Sequence, residues 1–589
     1  MIRFLHWLRD VALGTLTGFA KLFFGLAALV LLFTLIALSM GDGLPKKIVL
    51  ALDLREPLED SAPMDFTFGE HKASVMDIVT GLNAAARDER VKGVYLRVGG
   101  ASLSVAQAEE IGKALTRFRK SGKFVIAHAQ GFPSAGLGDY LAASAAGEIW
   151  MQPKSPFYAA GAGGGKIYLK GLFDKIGAKP EIAKRAQYKS AADMFMADGM
   201  SDADREQTMA LLHSWYDTAV AETAAARRLD AKKVMAAFEE SPQFSEDAKT
   251  AKLIDRLGYD DDAENAALRR AGAGAETIDF MRYAETRHAG DGLTATPRLA
   301  LVEVSGDIVE GNTAADPFGA VENAGGDDIA GALRDAAKDD SIKAIILRID
   351  SPGGSVTASD QILDAVKKAQ KAGKPVVVSM GGVAASGGYY IALSADRIVA
   401  EPGTVTGSIG VFTGKFSFDK TLEKIGVKTQ LVGVGKNALM ASDLAPYTDA
   451  QWAAVNAEAD TIYADFTAKV AAGRKMPLAK VMKIAGGRVW SGRDAKNVGL
   501  VDKLGGFDAS VAEARKLAKL KPGERVEFIR YPEPRGLLET LRNWFGGAAV
   551  LVRGMERISA LANTPALRAV RAATAPHAPV ELKAANLPQ

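Results

Sequence analysis

The chain has 589 residues, which exceeds the usual size of a single hydrophobic core, about 250–300 residues, so more than one domain is expected. Its formal charge of +3 and the mixing of basic with acidic residues along the chain argue against nucleic-acid binding. Cysteine is absent and only six histidines are present, so we expect neither disulfides nor a zinc site of the His and Cys type.

An uncharged segment near the N-terminus is long enough to span a membrane. Residues 22–40 carry no charged side chain, and an apolar helix of about 20 residues crosses a hydrocarbon core of about 30 Å. Secretory signal cores are shorter, at about 7–15 residues, so a retained anchor is favoured over a signal peptide cleaved after Ser39. Arg3 and Arg9 precede the segment and predict that residues 1–21 are cytoplasmic, with the body of the chain on the other side.

From residue 47 onward, short apolar segments alternate with amphipathic ones. The first predicted elements are strands at 48–52, 94–98 and 124–127, and helices at 75–88 and 105–121. Strands that alternate with helices indicate an α/β fold with a largely parallel sheet. Two later stretches, 197–240 and 446–486, are rich in helix-forming residues, and we expect them to pack on the domains or project from them.

The order of these segments recurs about 250 residues later, which is the signature of a duplicated unit. Residues 90–98 match 341–349, and residues 173–177 match 422–426, in the same order and at similar spacing. The predicted organisation is therefore a cytoplasmic N-terminus (1–21), an anchor (22–40), a first α/β copy (47–290), a second copy (297–525) and a tail (526–589). Within the tail, a helix is predicted over 537–562, and disorder from Asn563, where Ala and Pro dominate.

Two glycine-rich segments, each after an apolar strand-like run, distinguish the second copy. They are Ser-Pro-Gly-Gly-Ser at 351–355 and Ala-Ala-Ser-Gly-Gly at 384–388. We interpret both as turns. When the copies are aligned on the following tyrosine, Ser386 corresponds to Gly136, and the Pro-Gly-Gly sequence is also missing from the first copy. The first copy therefore cannot catalyse the same reaction by itself.

Ser386 is the candidate nucleophile. It lies between a predicted strand and a predicted helix, where unpaired N–H groups and the helix dipole favour negative charge. The backbone N–H groups of Gly387 and Gly354 could form an oxyanion hole, in which each donor is worth about 3–4 kcal/mol. The alternative is that Ser386 only caps the helix and that both Gly-Gly pairs are simple turns.

The base for this serine must be a lysine or a carboxylate, because no histidine lies between residues 289 and 576. A lysine acts as a base only where burial or a nearby cation lowers its pKa. The candidates are Lys374, Lys415 and Lys436 in the second copy and, in the first, Lys189, which aligns roughly with Lys436. The residues alone leave these four open, since each taken singly is more commonly a solvated surface lysine.

With these features the chain resembles the signal peptide peptidase A family, membrane-anchored bacterial serine proteases of tandem-repeat type. The resemblance covers roughly residues 20–525 and is carried by the anchor, the two copies and the motifs at 351–355, 384–390 and 406–411. It implies a fold of two tandem ClpP/crotonase-like domains with an N-terminal transmembrane helix. It also implies that Ser386 is the nucleophile and that Lys189, in Tyr-Lys-Ser-Ala, is the general base.

The same resemblance implies the remaining functional properties. Gly354 and Gly387 would form the oxyanion hole, and the Ser408 hydroxyl would help orient the lysine. The expected protein is an endopeptidase of the inner membrane, with a single span and its catalytic body on the periplasmic side. It would degrade cleaved signal peptides and similar extended peptides, assemble as a homotetramer, and need no cofactor, metal or nucleic acid.

Two other functions compete with this interpretation. One is a crotonase-like acyl-CoA enzyme, because that class shares glycine-rich oxyanion turns; a body outside the cytoplasm argues against it. The other is a membrane scaffold without catalysis, in which Ser386 is structural. Covalent labelling by a serine-directed acylating inhibitor distinguishes the scaffold from the enzymes.

Overall fold

A computed structural model describes most of the chain. The described residues are 43–61, 73–100, 103–133, 136–288, 296–313, 323–521, 524–532 and, as backbone, 581–583. The predicted anchor at 22–40 and the predicted helix at 537–562 lie outside them. Among the helices in the described ranges, none combines the length and apolar character needed to cross a bilayer.

The first copy alternates strands with helices, as its sequence predicted. Its strands are β1 (Ile48–Asp53), β2 (Val91–Val98), β3 (Phe124–Ala129), β4 (Glu148–Met151), β5 (Pro156–Phe157), β6 (Lys179–Arg185), β7 (Gln243–Phe244), β8 (Arg256–Leu257) and β9 (Glu276–Asp279). Its helices are α1 (Val75–Arg87), α2 (Val105–Lys120), α3 (Gly138–Ser144), α4 (Lys170–Ile176), α5 (Asp193–Met196), α6 (Asp202–Arg227), α7 (Ala231–Glu239), α8 (Ser245–Thr250), α9 (Asp260–Ala271) and α10 (Phe280–His288). Six of the strands form a parallel sheet in the order β8-β4-β3-β2-β1-β9.

The second copy repeats this plan. Its strands are β10 (Arg298–Ser305), β11 (Asp307–Val309), β12 (Asn323–Gly325), β13 (Ile342–Ser351), β14 (Gly353–Ser355), β15 (Val376–Ala385), β16 (Arg397–Ala400), β17 (Val405–Gly407), β18 (Val411–Ser417), β19 (Val489–Ser491) and β20 (Lys503–Leu504), followed by β21 (Glu527–Tyr531) and β22 (Glu581–Lys583). Its helices are α11 (Gly326–Lys338), α12 (Val356–Lys371), α13 (Gly387–Ala392), α14 (Asp419–Lys424), α15 (Asp449–Gly473), α16 (Leu478–Ile484), α17 (Gly492–Val498) and α18 (Phe507–Leu517). The main path of its sheet is β19-β17-β15-β13-β10-β21.

Two predictions about these elements are wrong. Gly353 and Gly354, expected in a turn, belong to the short strand β14, which pairs with β11 through Gly354 and Ile308. Residues 581–583 of the tail, expected to be disordered, form β22. In both places a partner strand from a distant part of the chain supplies the hydrogen bonds that the local sequence does not indicate.

The two copies are interlocked. Strand β6 of the first copy pairs antiparallel with β18 of the second over seven residue pairs, from Arg185 opposite Val411 to Lys179 opposite Ser417. In return, Phe507 and Val511 of α18 pack into the apolar core of the first copy. Burial of a phenylalanine side chain contributes about 1.5–3 kcal/mol. The strand pairing and this helix packing therefore both stabilise the contact between the two copies.

Candidate active site

The backbone at Ser386 is held in an unusual conformation between β15 and α13. Its φ of 55° and ψ of −114° lie where side-chain-bearing residues are rare and cost about 1–3 kcal/mol. The Ser386 N–H donates to the Gly407 carbonyl at 2.8 Å, and its carbonyl accepts from the Tyr390 N–H at 2.8 Å. The side chain makes no capping hydrogen bond to the helix. Ser386 therefore occupies the N-cap position of α13 without capping the helix through its hydroxyl.

The hydroxyl of Ser386 faces the amine of Lys189. The Lys189 Nζ lies 2.8 Å from the Ser386 Oγ, and both side chains are fully buried. The same Nζ donates to the Ser408 carbonyl at 3.1 Å and lies 3.0 Å from the Ser408 Oγ. All three of these partners are neutral, so burial acts unopposed and lowers the pKa of Lys189 well below its ordinary value. The arrangement suits a lysine that accepts a proton from a serine.

Two contacts bring Lys189 to this position. The pairing of β6 with β18 ends at Arg185 and Val411, close in sequence to Lys189 and Ser408 respectively. The loop that contains Gly487, in the second copy, packs closely against the backbone of Lys189. A Cβ on Gly487 would lie only 2.6 Å from the Lys189 backbone nitrogen. Gly487 also has a φ of 76°, so both the space and the backbone conformation favour glycine there.

A polar cluster on α6, which the sequence did not predict, holds the two residues that flank Lys189 in the chain. The Gln207 side chain donates to the Tyr188 carbonyl at 2.9 Å and accepts from the Val489 N–H at 3.1 Å, which links the two copies. Asp204, one turn earlier on α6, accepts from the Ser190 hydroxyl at 2.7 Å. The sequence predicted that these residues lie in a helix-rich stretch. It did not predict their hydrogen bonds, because the partners lie on other segments of the chain.

The two predicted oxyanion donors lie side by side. A Cβ built on Gly387 would lie 3.0 Å from the Gly354 backbone nitrogen, so the two glycine segments touch. Gly354 has a φ of 154°, and a Cβ there would lie 2.0 Å from the Ile308 carbonyl oxygen. The N–H of Gly353, by contrast, donates to the Ser351 hydroxyl at 3.1 Å. A side chain at Gly387 would press against the segment of Gly354, and a side chain at Gly354 would press against Ile308 of β11.

The other candidate lysines lie elsewhere. The Lys374 amine donates to the carbonyls of Asp339 and Ile342, both at 2.8 Å. The Lys415 amine donates to three carbonyls between residues 440 and 445, at 2.6–2.9 Å. Lys436 is exposed. Of the four lysines considered, the structure brings only Lys189 to Ser386.

A buried ionic cluster joins the two copies near the serine, and sequence reasoning also missed it. Arg348 on β13, 1% exposed, donates through Nε to Asp60 at 2.7 Å and through Nη2 to Glu110 at 2.8 Å. Asp350 follows on the same strand and accepts from the N–H of Val383, a residue of β15, at 2.8 Å. Burial raises the pKa of Asp350 to about 7. The cluster fixes the first copy against the strands that present Ser386.

Comparison with known proteins agrees with this architecture. The profile of peptidase family S49 matches twice, over residues 117–273 and 368–521, and the Clp protease profile matches 319–401. The two S49 matches fall one in each predicted copy.

Proteases from a plant and from bacteria are among the proteins similar to the chain. The chloroplastic serine protease SPPA of Arabidopsis thaliana is 31% identical over 516 residues, which are 86% of this chain and 74% of that protein. Protease 4 of Salmonella typhi is 35% identical over 462 residues, 76% of this chain and 72% of that protein. A putative signal peptide peptidase of Enterococcus faecium is 31% identical over 196 residues, 33% of this chain and 57% of that protein.

Proposed function

Since the chain belongs to peptidase family S49, with two tandem ClpP-like domains of α/β fold, we propose that its serine endopeptidase activity uses a dyad of Ser386 and Lys189. The observation that carries the proposal is the 2.8 Å separation of the Lys189 Nζ and the Ser386 Oγ in a fully buried site. Burial lowers the pKa of the Lys189 amine well below its ordinary value, which favours the neutral form that a lysine base requires.

The chemical steps follow from the positions of these groups. Neutral Lys189 accepts the hydroxyl proton as the Ser386 Oγ attacks the peptide carbonyl. The N–H groups of Gly354 and Gly387 hold the resulting oxyanion. Lysine then gives its proton to the leaving amine, and a water molecule, deprotonated by the same amine, hydrolyses the acyl-enzyme. Ser408 orients the amine through its carbonyl and hydroxyl.

The proposed substrates are cleaved signal peptides and similar extended peptides. One of the similar proteins is named a putative signal peptide peptidase, and the predicted anchor at 22–40 would hold the enzyme at the membrane that releases such peptides. The predicted location is the inner membrane, with residues 1–21 in the cytoplasm and the catalytic body in the periplasm. No cofactor takes part in the proposed mechanism.

A serine-directed acylating inhibitor tests the dyad. We expect an adduct on Ser386, located by peptide mass spectrometry. The acylation rate should rise with pH as Lys189 loses its proton, and should level off below the ordinary lysine pKa, because burial lowers the pKa of this amine. Lys189→Met should label slowly at every pH, whereas Ser510→Ala, which removes another buried serine, should label like the unaltered chain. An adduct formed at the same rate without Lys189 would contradict the mechanism.

The membrane and assembly parts of the proposal have a separate measurement. We expect the full chain to stay with membranes after an alkaline carbonate wash, since a 19-residue uncharged segment binds far more strongly than surface contacts. After detergent extraction, light scattering corrected for detergent should give the protein mass of a homotetramer. Release by carbonate would contradict the anchor, and the mass of a single chain, 62.1 kDa, would contradict the tetramer.

A further inference from the structure

The loop that precedes β19 in the second copy contacts both sides of the proposed dyad. Its Gly486 carbonyl accepts from the Tyr188 N–H at 2.9 Å, next to Lys189. Two positions later, the Arg488 carbonyl accepts from the Ser408 N–H at 2.8 Å. Ser408 has a φ of 52°, which side-chain-bearing residues rarely adopt, and its carbonyl and hydroxyl contact the lysine amine. The loop therefore holds the backbone on two sides of that amine.

The side chain of Arg488 returns to the first copy. Its Cζ atom lies 5.2 Å from the centre of the Tyr188 ring and 4.7 Å from that of the Trp490 ring. Its Nη1 donates to Glu206 on α6 at 2.5 Å, and the Tyr188 hydroxyl donates to the other oxygen of the same carboxylate at 2.8 Å. A planar guanidinium that is both stacked and ion-paired has a fixed orientation.

We propose that Arg488 is a positioning residue for the dyad, because its carbonyl holds Ser408 and its side chain holds Tyr188, the residue before Lys189. The inference rests on the proposed function, since it takes Lys189 as the base for Ser386. Tyr188 and Lys189 belong to the first copy, whereas Arg488 and the two serines belong to the second. The contacts of this one arginine therefore cross the junction at the point where the dyad forms.

The segment that follows Arg488 is also connected to the nucleophile. Strand β19 pairs antiparallel with β17, with Val489 opposite Gly407. The Gly407 carbonyl in turn accepts from the Ser386 N–H at 2.8 Å. A Cβ on Gly407 would lie 2.7 Å from the Cδ1 atom of Trp490, so the indole packs directly against this backbone. The position of Arg488 relative to Ser386 is fixed by these contacts within the second copy.

The contacts of the Arg488 side chain should matter more for geometry than for stability. The Glu206 side chain is 56% exposed, and ion pairs that face water add little to the free energy of unfolding. Catalysis is more sensitive to position, because a displacement of about 1 Å can cost about 100-fold in rate. Loss of this side chain should leave the chain folded, with the amine of Lys189 poorly placed for proton transfer.

The test removes the guanidinium and then supplies it from solution. In the full chain, we expect Arg488→Ala to lower kcat about 10–100-fold with KM unchanged. The serine-directed acylating inhibitor should label the same number of sites, but more slowly. Guanidinium at a millimolar concentration, too dilute to unfold the chain, should occupy the space over the Tyr188 and Trp490 rings and restore part of the rate. Ammonium, which is not planar, should not.

The matched control is Arg256→Ala in the first copy. Arg256 also lies over a tryptophan ring, with its Cζ atom 5.3 Å from the centre of Trp150, and it pairs with Glu148 at 2.6 Å. Its removal should change neither the labelling rate nor the response to guanidinium. A second variant, Glu206→Ala, keeps the arginine and alters only an exposed carboxylate on a helix. We expect it to slow labelling at least about threefold.

A double variant separates positioning from a merely structural role. Because the Arg488 side chain acts through the lysine, Arg488→Ala should slow labelling no further in a chain that already carries Lys189→Met. An additional loss there, or fewer labelled sites in Arg488→Ala, would overturn the inference. So would an unchanged rate in Arg488→Ala or Glu206→Ala, or equal rescue by ammonium. Labelling of Lys189→Met at the rate of the unaltered chain would instead count against the proposed dyad itself.

Discussion

Replacement of Ser386 by alanine should abolish peptide hydrolysis, with a loss in kcat of about 10⁴-fold or more. The alanine has no oxygen to form the acyl-enzyme, and the oxyanion donors alone sustain only weak hydrolysis. Lys189→Met should cause a loss of similar size, because members of a dyad act as a unit and their effects do not add. The measurement is kcat and KM on a detergent-solubilised signal peptide. Lys436→Met, an exposed lysine that aligns roughly with Lys189 in the second copy, should retain full activity.

The thermal stability of Lys189→Met shows whether a loss of activity comes from removal of the base or from unfolding. Burial lowers the pKa of Lys189 in the folded chain, whereas an unfolded lysine keeps its ordinary pKa. Between these two values the unfolded state binds the extra proton, so this group's contribution to stability falls as pH decreases. Methionine removes that penalty. We therefore expect the Tm of Lys189→Met, relative to the unaltered chain, to increase as the pH is lowered. Full activity in either dyad variant would contradict the proposed mechanism.

Replacement of Arg348 by methionine should destabilise the junction between the copies by about 3–5 kcal/mol. The guanidinium is buried and holds Asp60 and Glu110 of the first copy. Without it, two buried carboxylates lose their cation, and the cost of their desolvation is no longer offset. Urea unfolding measures this loss. The matched control is Lys338→Met, which removes an exposed pair with Asp335 and should cost less than about 1 kcal/mol.

Activity should fall together with stability in Arg348→Met. The proposed nucleophile and base come from different copies, so a looser junction lengthens the average distance between Ser386 and Lys189. The rate of peptide hydrolysis by Arg348→Met should be reduced even at temperatures below its unfolding transition. The Lys338→Met control should hydrolyse the peptide at the rate of the unaltered chain. Unfolding of Arg348→Met at the same urea concentration as the unaltered chain would show that the ionic cluster does not hold the copies together.

The sequence by itself determined the fold class and the position of the candidate nucleophile. Alternating apolar and amphipathic segments predicted the strands and helices, and the ordered matches, such as 90–98 with 341–349, predicted the duplication. Both are local patterns, in which neighbouring residues carry the whole signal. Ser386 stood out because it lies between a predicted strand and two glycines, whereas the first copy has Gly136 at the aligned position.

The tertiary structure decided how the site is assembled. Reasoning from the residues left four lysines open, and only the resemblance to a known family favoured Lys189. Lys189 and Ser386 are 197 positions apart, and the pairing of β6 with β18 brings their side chains within 2.8 Å. Arg348 and Asp60, 288 positions apart, were not predicted at all. The strands β14 and β22 were missed for the same reason, since their partners are distant. Contacts between remote segments depend on the three-dimensional packing of both copies, which no local pattern encodes.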